Sequence, residues 1–261
     1  MNMQIDLEKG IANVGDVSRM KEVMARAKRG GRLVIGFIGG SITQGSLSST
    51  PQTCYAYRVY TWWKETFPQA EFVYCNAGSG GTTSEFGAAR VGTDLLAERP
   101  DFVIVEFSVN DESTEHFKET YEGLVRKILG AAWNPAVLLV HNVFYHNGAN
   151  AQVMHAAIGR HYDLPSVSMQ NSIYPEVVAG RIENRAITPD DLHPNDEGHA
   201  LVASVITYFL EQVRSGKLTG SNASFALGAK LPVPLTKNAY EDSVRIRNAA
   251  APDMAGLQQP T

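Results

Sequence analysis

The sequence predicts a single three-layer α/β/α domain built around a five-stranded parallel sheet. Short strands alternate with longer helices over residues 16–213, and glycine-rich polar stretches follow several strands. The strands themselves are nearly unbroken apolar runs, such as AVLLV at 136–140. Such runs are typical of a parallel sheet that is covered by helices on both faces.

Hydrophobic periodicity assigns each element in turn. The predicted strands are 33–38, 71–75, 101–107, 136–140 and 164–168. The predicted helices are 16–29, 55–67, 85–97, 115–129, 151–162 and 198–213. We expect residues 1–215 to form the domain, with the N-terminal helix included. Residues 216–261 are rich in Gly, Pro, Asn and Ala without periodicity, which predicts a C-terminal arm or linker with little regular structure.

Composition excludes several classes of function. The net charge of −4 and the lack of a clustered basic face give no reason to expect a nucleic-acid partner. No apolar run approaches the roughly 18–20 residues that span a bilayer, so no membrane partner is expected. The N-terminus, MNMQIDLEKG, has no apolar signal region. We therefore expect a soluble, cytoplasmic protein; its oligomeric state stays open, and a homo-oligomer is compatible with the sequence.

No cofactor or metal is expected from the sequence. Cys54 and Cys75 lack metal-ligand spacing, and Cys75 ends an apolar run, where a buried free thiol is expected. The histidines form no HxH or HExxH pair of the kind that binds zinc. The stretch NAGSGGTT at 76–83 lacks both the lysine of a P-loop and the GxGxxG order of a dinucleotide site.

Four polar stretches stand at positions where chemistry is expected. GGSITQG (39–45), NAGSGGTT (76–83) and SVND (108–111) follow the first three strands, and PDDLHPN (189–195) precedes the last helix. Ligands bind at the carboxyl ends of the strands in parallel sheets, so the topology should gather these stretches at one edge. Each stretch alone has an ordinary interpretation as a turn or helix cap. Their order and their common position after strands favour a catalytic site.

The residue types at this edge fit acyl transfer. Ser41 needs a base to become a nucleophile, and His193 is the candidate base. Asp190, three residues earlier, could fix the imidazole tautomer, with Asp191 as the rival acid. The backbone N–H groups of Ser41 and Gly81, together with the Asn110 side-chain amide, are the candidate donors to an oxyanion.

These four stretches resemble those of the SGNH hydrolases, also called the GDSL esterase family, over roughly residues 30–215. The resemblance implies a flavodoxin-like fold, a triad of Ser41, His193 and Asp190, and an oxyanion hole of Ser41, Gly81 and Asn110. Two positions depart from the family pattern. Gly40 stands where the family has an aspartate before the serine, and Ser108 stands where it usually has a glycine.

A narrower likeness concerns the substrate. The GGSIT form, with Cys54–Tyr55, Trp62–Trp63 and the helix ahead of the first strand, resembles bacterial members that act on carbohydrate esters. It implies a serine esterase for small acyl esters, with an acetylated saccharide as the expected substrate. A thioesterase or broad arylesterase is the alternative on the same fold, and a non-catalytic carbohydrate-binding module is the alternative of another class. Whether Tyr145, His146 or Trp62 lines the pocket is left open.

Overall fold

The computed structural model describes residues 5–220 and 231–246. Its strands are β1 (Ile11–Asn13), β2 (Arg32–Gly39), β3 (Glu71–Gly78), β4 (Phe102–Glu106), β5 (Ala136–His141) and β6 (Ser166–Ser168). Its longer helices are α1 (Ser18–Lys28), α3 (Tyr55–Thr66), α4 (Ser84–Asp94), α5 (Glu115–Leu129), α6 (Gln152–His161) and α10 (Asp196–Arg214). Its short helices are α2 (Ser41–Gln44), α7 (Met169–Ser172), α8 (Tyr174–Val178) and α9 (Asn184–Ile187).

The sheet has six strands in the order β1-β6-β5-β4-β2-β3. The three-layer α/β prediction is confirmed, but the count of five parallel strands is corrected by β1, which pairs antiparallel with β6. β1 has only three residues at the edge of the sheet, too few for any periodicity to reveal it. The other five strands are parallel, as predicted.

The two faces of the sheet bury two separate apolar clusters. Alternate residues of one strand enter different clusters, as Ile104 and Val105 of β4 do. One cluster joins the sheet to α1, α3 and α10, and the other joins it to α4, α5 and α6. Because both faces are covered, every residue of β4 and β5 is buried, which explains why both strands are apolar up to their last residues, Glu106 and His141.

The C-terminal residues 231–246 contain no helix or strand and run across α4 and α5. Arg126 of α5 donates to Pro232 O at 2.8 Å and to Glu241 Oε2 at 2.7 Å. The buried Glu122 carboxylate accepts from Leu235 N at 2.6 Å. The predicted irregular arm, 216–261, lies partly outside the described residues, at 221–230 and 247–261, and its extent stays a prediction. No helix in the described part of the chain is long and apolar enough to cross a membrane.

Candidate active site

Parallel register brings three of the four polar stretches to one edge. Gly39, at the end of β2, is paired with Gly78 of β3 on one side and with Glu106 of β4 on the other. The three strands therefore end at the same level. The turns that carry Ser41, Gly81 and Asn110 leave the sheet side by side.

Ser41 is the first residue of α2, a single helical turn that is held on several sides. Gln44 N bonds to Gly40 O at 3.0 Å, and Thr43 Oγ1 lies 2.8 Å from Tyr55 OH. Ser41 itself is buried, with only 8% of its surface exposed. Its N–H lies in the first turn of a helix, where no intrahelical acceptor exists.

The structure brings Ser41, His193 and Asp190 into one hydrogen-bonded line. His193 Nε2 lies 2.8 Å from Ser41 Oγ, and His193 Nδ1 lies 2.6 Å from Asp190 Oδ2. Asp190 Oδ1 also accepts from the backbone N–H of His193 at 2.7 Å and of Leu192 at 3.1 Å. With Nδ1–H donating to the carboxylate, Nε2 is left as the acceptor for the serine proton.

Hydrogen bonds keep Asp190 in its ionised form. Burial alone would raise its pKa, but the bonds from the His193 ring and from the two backbone N–H groups outweigh burial and lower the pKa of Asp190. The ionised carboxylate accepts from the His193 ring and so holds the imidazole in one orientation.

The rival acid, Asp191, makes a different set of contacts. Its carboxylate binds Asn184 Nδ2 at 2.6 Å and Arg185 Nη2 at 2.7 Å. Its backbone is left-handed, with φ at +70°, and its carbonyl accepts from Tyr145 N at 3.1 Å. Asp191 therefore shapes the loop that presents His193, and its carboxylate is occupied by partners other than the imidazole.

Asn110 lies directly against the backbone that precedes Ser41. A Cβ placed on Gly40 would stand 2.1 Å from Asn110 Oδ1, closer than any real contact. Asn110 Oδ1 is buried and has no hydrogen-bond partner among the described residues. The Asn110 amide thus packs against Gly40, the position at which the family has an aspartate.

Gly81 is required by its backbone rather than by packing. Its φ is +68°, which disfavours any residue with a side chain, and a Cβ there would meet nothing within 4 Å. The loop is braced on both sides of it, because Gly80 N donates to Gln44 Oε1 at 2.8 Å and Thr82 Oγ1 donates to Ser79 O at 2.7 Å. The space beside Gly81 is open to a ligand.

The sequence analysis missed a group of buried polar residues behind this edge. Ser108, in place of the usual glycine, contacts Glu106 Oε1 at 3.1 Å and donates to Asn142 O at 3.0 Å. Burial raises the pKa of Glu106 to about 7, and burial lowers the pKa of His141, at the end of β5, to about 3. One signal was available: Glu106 and His141 each interrupt an otherwise apolar strand near its carboxyl end.

The residues left open as pocket-lining fall into different environments. Tyr145 is buried, whereas His146 is exposed. Trp63 is completely buried, and Trp62 packs edge-on against it at 5.4 Å between ring centroids. Both cysteines are free thiols, but Cys75 is half-buried rather than buried as expected, whereas Cys54 is buried. Within 5–220 and 231–246, no three His, Cys, Asp or Glu side chains form a group that could hold a metal ion.

Comparison with known proteins identifies the family of this chain. Residues 37–201 match the GDSL-like lipase/acylhydrolase family. A two-domain esterase active on acetylated mannans, crystallised with mannopentaose, is 67% identical with a TM-score of 0.88; the match covers 94% of this chain and 64% of that one. A catalytic mutant of an acetylxylan esterase from Geobacillus stearothermophilus is 19% identical with a TM-score of 0.59, covering 70% of this chain and 96% of that one, and shares the fold alone. No curated protein matched.

The α/β sheet and the matched region together define the class, which is that of acylhydrolases. The chain belongs to the GDSL-like lipase/acylhydrolase family, whose members cleave ester bonds. The SGNH resemblance seen in the sequence is thereby confirmed. The chain spans less than two thirds of the length of the two-domain esterase.

The close approach at Gly40 predicts a steric effect on stability. Gly40→Ala should lower the free energy of unfolding by about 1–3 kcal/mol, because its Cβ would overlap the Asn110 amide. The control is Gly92→Ala on α4, where a Cβ meets nothing within 4 Å and the helix should gain up to about 1 kcal/mol. Urea denaturation of both variants measures the difference, and equal stabilities would contradict the packing described here.

Glu106 predicts a pH dependence of stability. Its pKa is about 7 when folded against 4.5 ordinarily, so the folded state binds the proton more tightly. The free energy of unfolding should therefore lose a contribution as pH rises from about 4.5 to about 7, and no more above that. Glu106→Gln abolishes this loss, so the variant should gain up to about 3 kcal/mol relative to wild type across that window.

Glu122→Gln is the matched control for this measurement. Burial would raise the pKa of Glu122, but hydrogen bonds led by that from Thr236 outweigh burial and lower it. The stability that Glu122 contributes is therefore present above its ordinary pKa and is lost as pH falls through the folded value. In denaturation series from about pH 5 to about pH 8, the stability difference from wild type should stay constant for Glu122→Gln and should rise up to about pH 7 for Glu106→Gln. If the stability difference between Glu106→Gln and wild type did not change with pH, the buried carboxyl of Glu106 would not be neutral as described.

Proposed function

We propose that this chain is a serine esterase that hydrolyses small acyl esters through Ser41, His193 and Asp190. The observation that carries the proposal is the continuous line from Ser41 Oγ through the His193 ring to Asp190, with contacts of 2.8 and 2.6 Å. A serine hydroxyl is a weak nucleophile until a base removes its proton. The line supplies that base and the carboxylate that orients it.

The chemistry proceeds in two acyl-transfer steps. His193 takes the proton of Ser41 as Oγ attacks the ester carbonyl, and the imidazolium is stabilised by Asp190. The oxyanion is received by the N–H groups of Ser41 and Gly81 and by the Asn110 amide. His193 then protonates the departing alcohol and leaves an acyl group on Ser41. Water, deprotonated by His193, repeats the attack and releases the acid.

We propose an acetyl ester of a saccharide as the substrate. The 67% identical two-domain esterase is active on acetylated mannans, which supports a related substrate for this chain. A thioester or an aryl ester is the competing acyl donor on the same fold. The triad alone does not distinguish among them, because all three pass through the same acyl-enzyme.

Replacing Ser41 tests the nucleophile. Ser41→Ala should abolish release of acetate from p-nitrophenyl acetate and from acetylated manno-oligosaccharides, because no other hydroxyl of the described residues is bonded to His193. Ser204→Ala on α10, which loses only a bond to Leu201 O, is the control and should stay active. Equal rates for Ser41→Ala and wild type would contradict the esterase proposal and would favour a carbohydrate-binding module. Faster wild-type cleavage of a short acyl-thioester than of the acetylated saccharide would overturn the substrate class.

Replacing Asn110 tests the oxyanion donor. Asn110→Ala should lower kcat by about 10²-fold or more with KM nearly unchanged, because the lost donor acts on charge that develops only in the transition state. Asn13→Ala, which loses a 2.7 Å bond to Leu164 O at the far edge of the sheet, should leave both constants unchanged. A rise in KM at constant kcat would instead assign Asn110 to substrate binding.

A further inference from the structure

One buried aspartate–histidine pair behind the active-site edge has no part in the chemistry described so far. Asp111 and His155 both have completely buried side chains, and His155 Nε2 lies 2.9 Å from Asp111 Oδ2. The His155 ring is stacked on Tyr121 at 3.6 Å, with the two rings nearly parallel at 4°. Packing on α5 thus fixes the imidazole, and the imidazole fixes the carboxylate.

The other oxygen of Asp111 reaches a different loop. Asp111 Oδ1 accepts from the backbone N–H of Ser84 at 2.8 Å. Ser84 is the first residue of α4 and follows Gly81 by three residues. The loop of Asp111 is itself a tight turn, in which Asn110 N and Asp111 N both donate to Phe107 O, at 3.0 and 2.9 Å. One carboxylate therefore joins the turn that carries Asn110 to the helix that follows Gly81.

We propose that Asp111 is a positioning residue for the oxyanion site: anchored by His155, it holds the Asn110 turn and the Gly81 loop at a fixed separation. The proposal rests on the esterase function proposed above. Oxyanion donors act only when their distances suit the tetrahedral intermediate. A small shift between the two loops therefore weakens binding of the transition state more than binding of the substrate. Asp111 touches neither substrate nor the reacting atoms.

A pair of substitutions at Ser84 separates the backbone link from the side chain. Ser84→Pro removes the N–H that bonds Asp111, while proline suits the first position of a helix. The preceding Thr83 is already extended, at φ −98° and ψ 174°, as a residue before proline must be. Ser84→Ala keeps the N–H and loses only the 2.6 Å contact of Oγ with Thr120. The pair therefore differs in the link to Asp111.

We expect kcat for p-nitrophenyl acetate to be about tenfold or more lower in Ser84→Pro than in Ser84→Ala, with KM equal within about threefold. Equal kcat values would overturn the proposal. A change confined to KM would overturn it as well. The folded fraction of each sample is measured by circular dichroism, and kcat is calculated per folded molecule. A loss of stability alone is therefore not mistaken for a loss of kcat.

Substitutions of Asp111 itself give a second measurement. Asp111→Ala should reproduce the fall in kcat, and Asp111→Asn should recover most of it, because an amide oxygen still accepts from Ser84 N–H. Glu122→Gln is the control for altering a buried carboxylate away from the site, and it should lower stability without changing kcat. Failure of Asp111→Asn to recover kcat would contradict positioning through this hydrogen bond. If Ser41→Ala is inactive while these variants behave like wild type, the esterase stands and only the positioning role fails.

Discussion

The site depends on one constraint: three neighbouring parallel strands end at the same level of the sheet. β2 lies between β3 and β4, and the pairing of Gly39 with both Gly78 and Glu106 stops all three strands at one height. A shift of one residue in either pairing would turn each side chain of that strand to the opposite face, so that residues such as Ile104 and Val105 would enter the wrong apolar cluster. The burial of both faces therefore fixes the register, and the register fixes the separation of the loops that carry Ser41, Gly81 and Asn110. The hydrophobic core acts on the chemistry through this geometry.

His193 reaches the same edge by a different route, from 152 residues further along the chain. Its loop is held between α9 and α10: Asn195 caps α10 by accepting from Glu197 N and Gly198 N, and Asp191 is clamped by Arg185. These contacts offset the strain of the left-handed backbone conformation at Asp191. A rigid loop matters here because an imidazole displaced by an ångström would lose its contact with the Ser41 hydroxyl.

The sequence predicted the layers, the five parallel strands and the edge at which the polar stretches meet, because apolar periodicity and strand-end position are local signals. It missed β1, whose three residues carry no period, and it missed the contact between Gly40 and Asn110, which joins residues 70 positions apart in the chain. The pairing of Asp111 with His155 was equally invisible, since a histidine on a helix has no local mark of its distant partner. Choosing Asp190 over Asp191 needed the family resemblance; the contacts then explain why the two neighbours differ.

Arg90 shows how a buried charge can support the site from beneath. Arg90 is 1% exposed, and its guanidinium donates to Gly39 O at 3.0 Å and to Ala77 O at 2.6 Å, near the ends of β2 and β3. Burial lowers its pKa, and a buried cation without a nearby anion would be strongly destabilising. Asp94 supplies that anion, at 3.5 Å from Arg90. The same carboxylate also binds Arg245, in the C-terminal residues, at 2.5 Å. The packing of residues 231–246 on α4 therefore contributes to the charge balance that holds two strand ends, and with them the serine turn, in place.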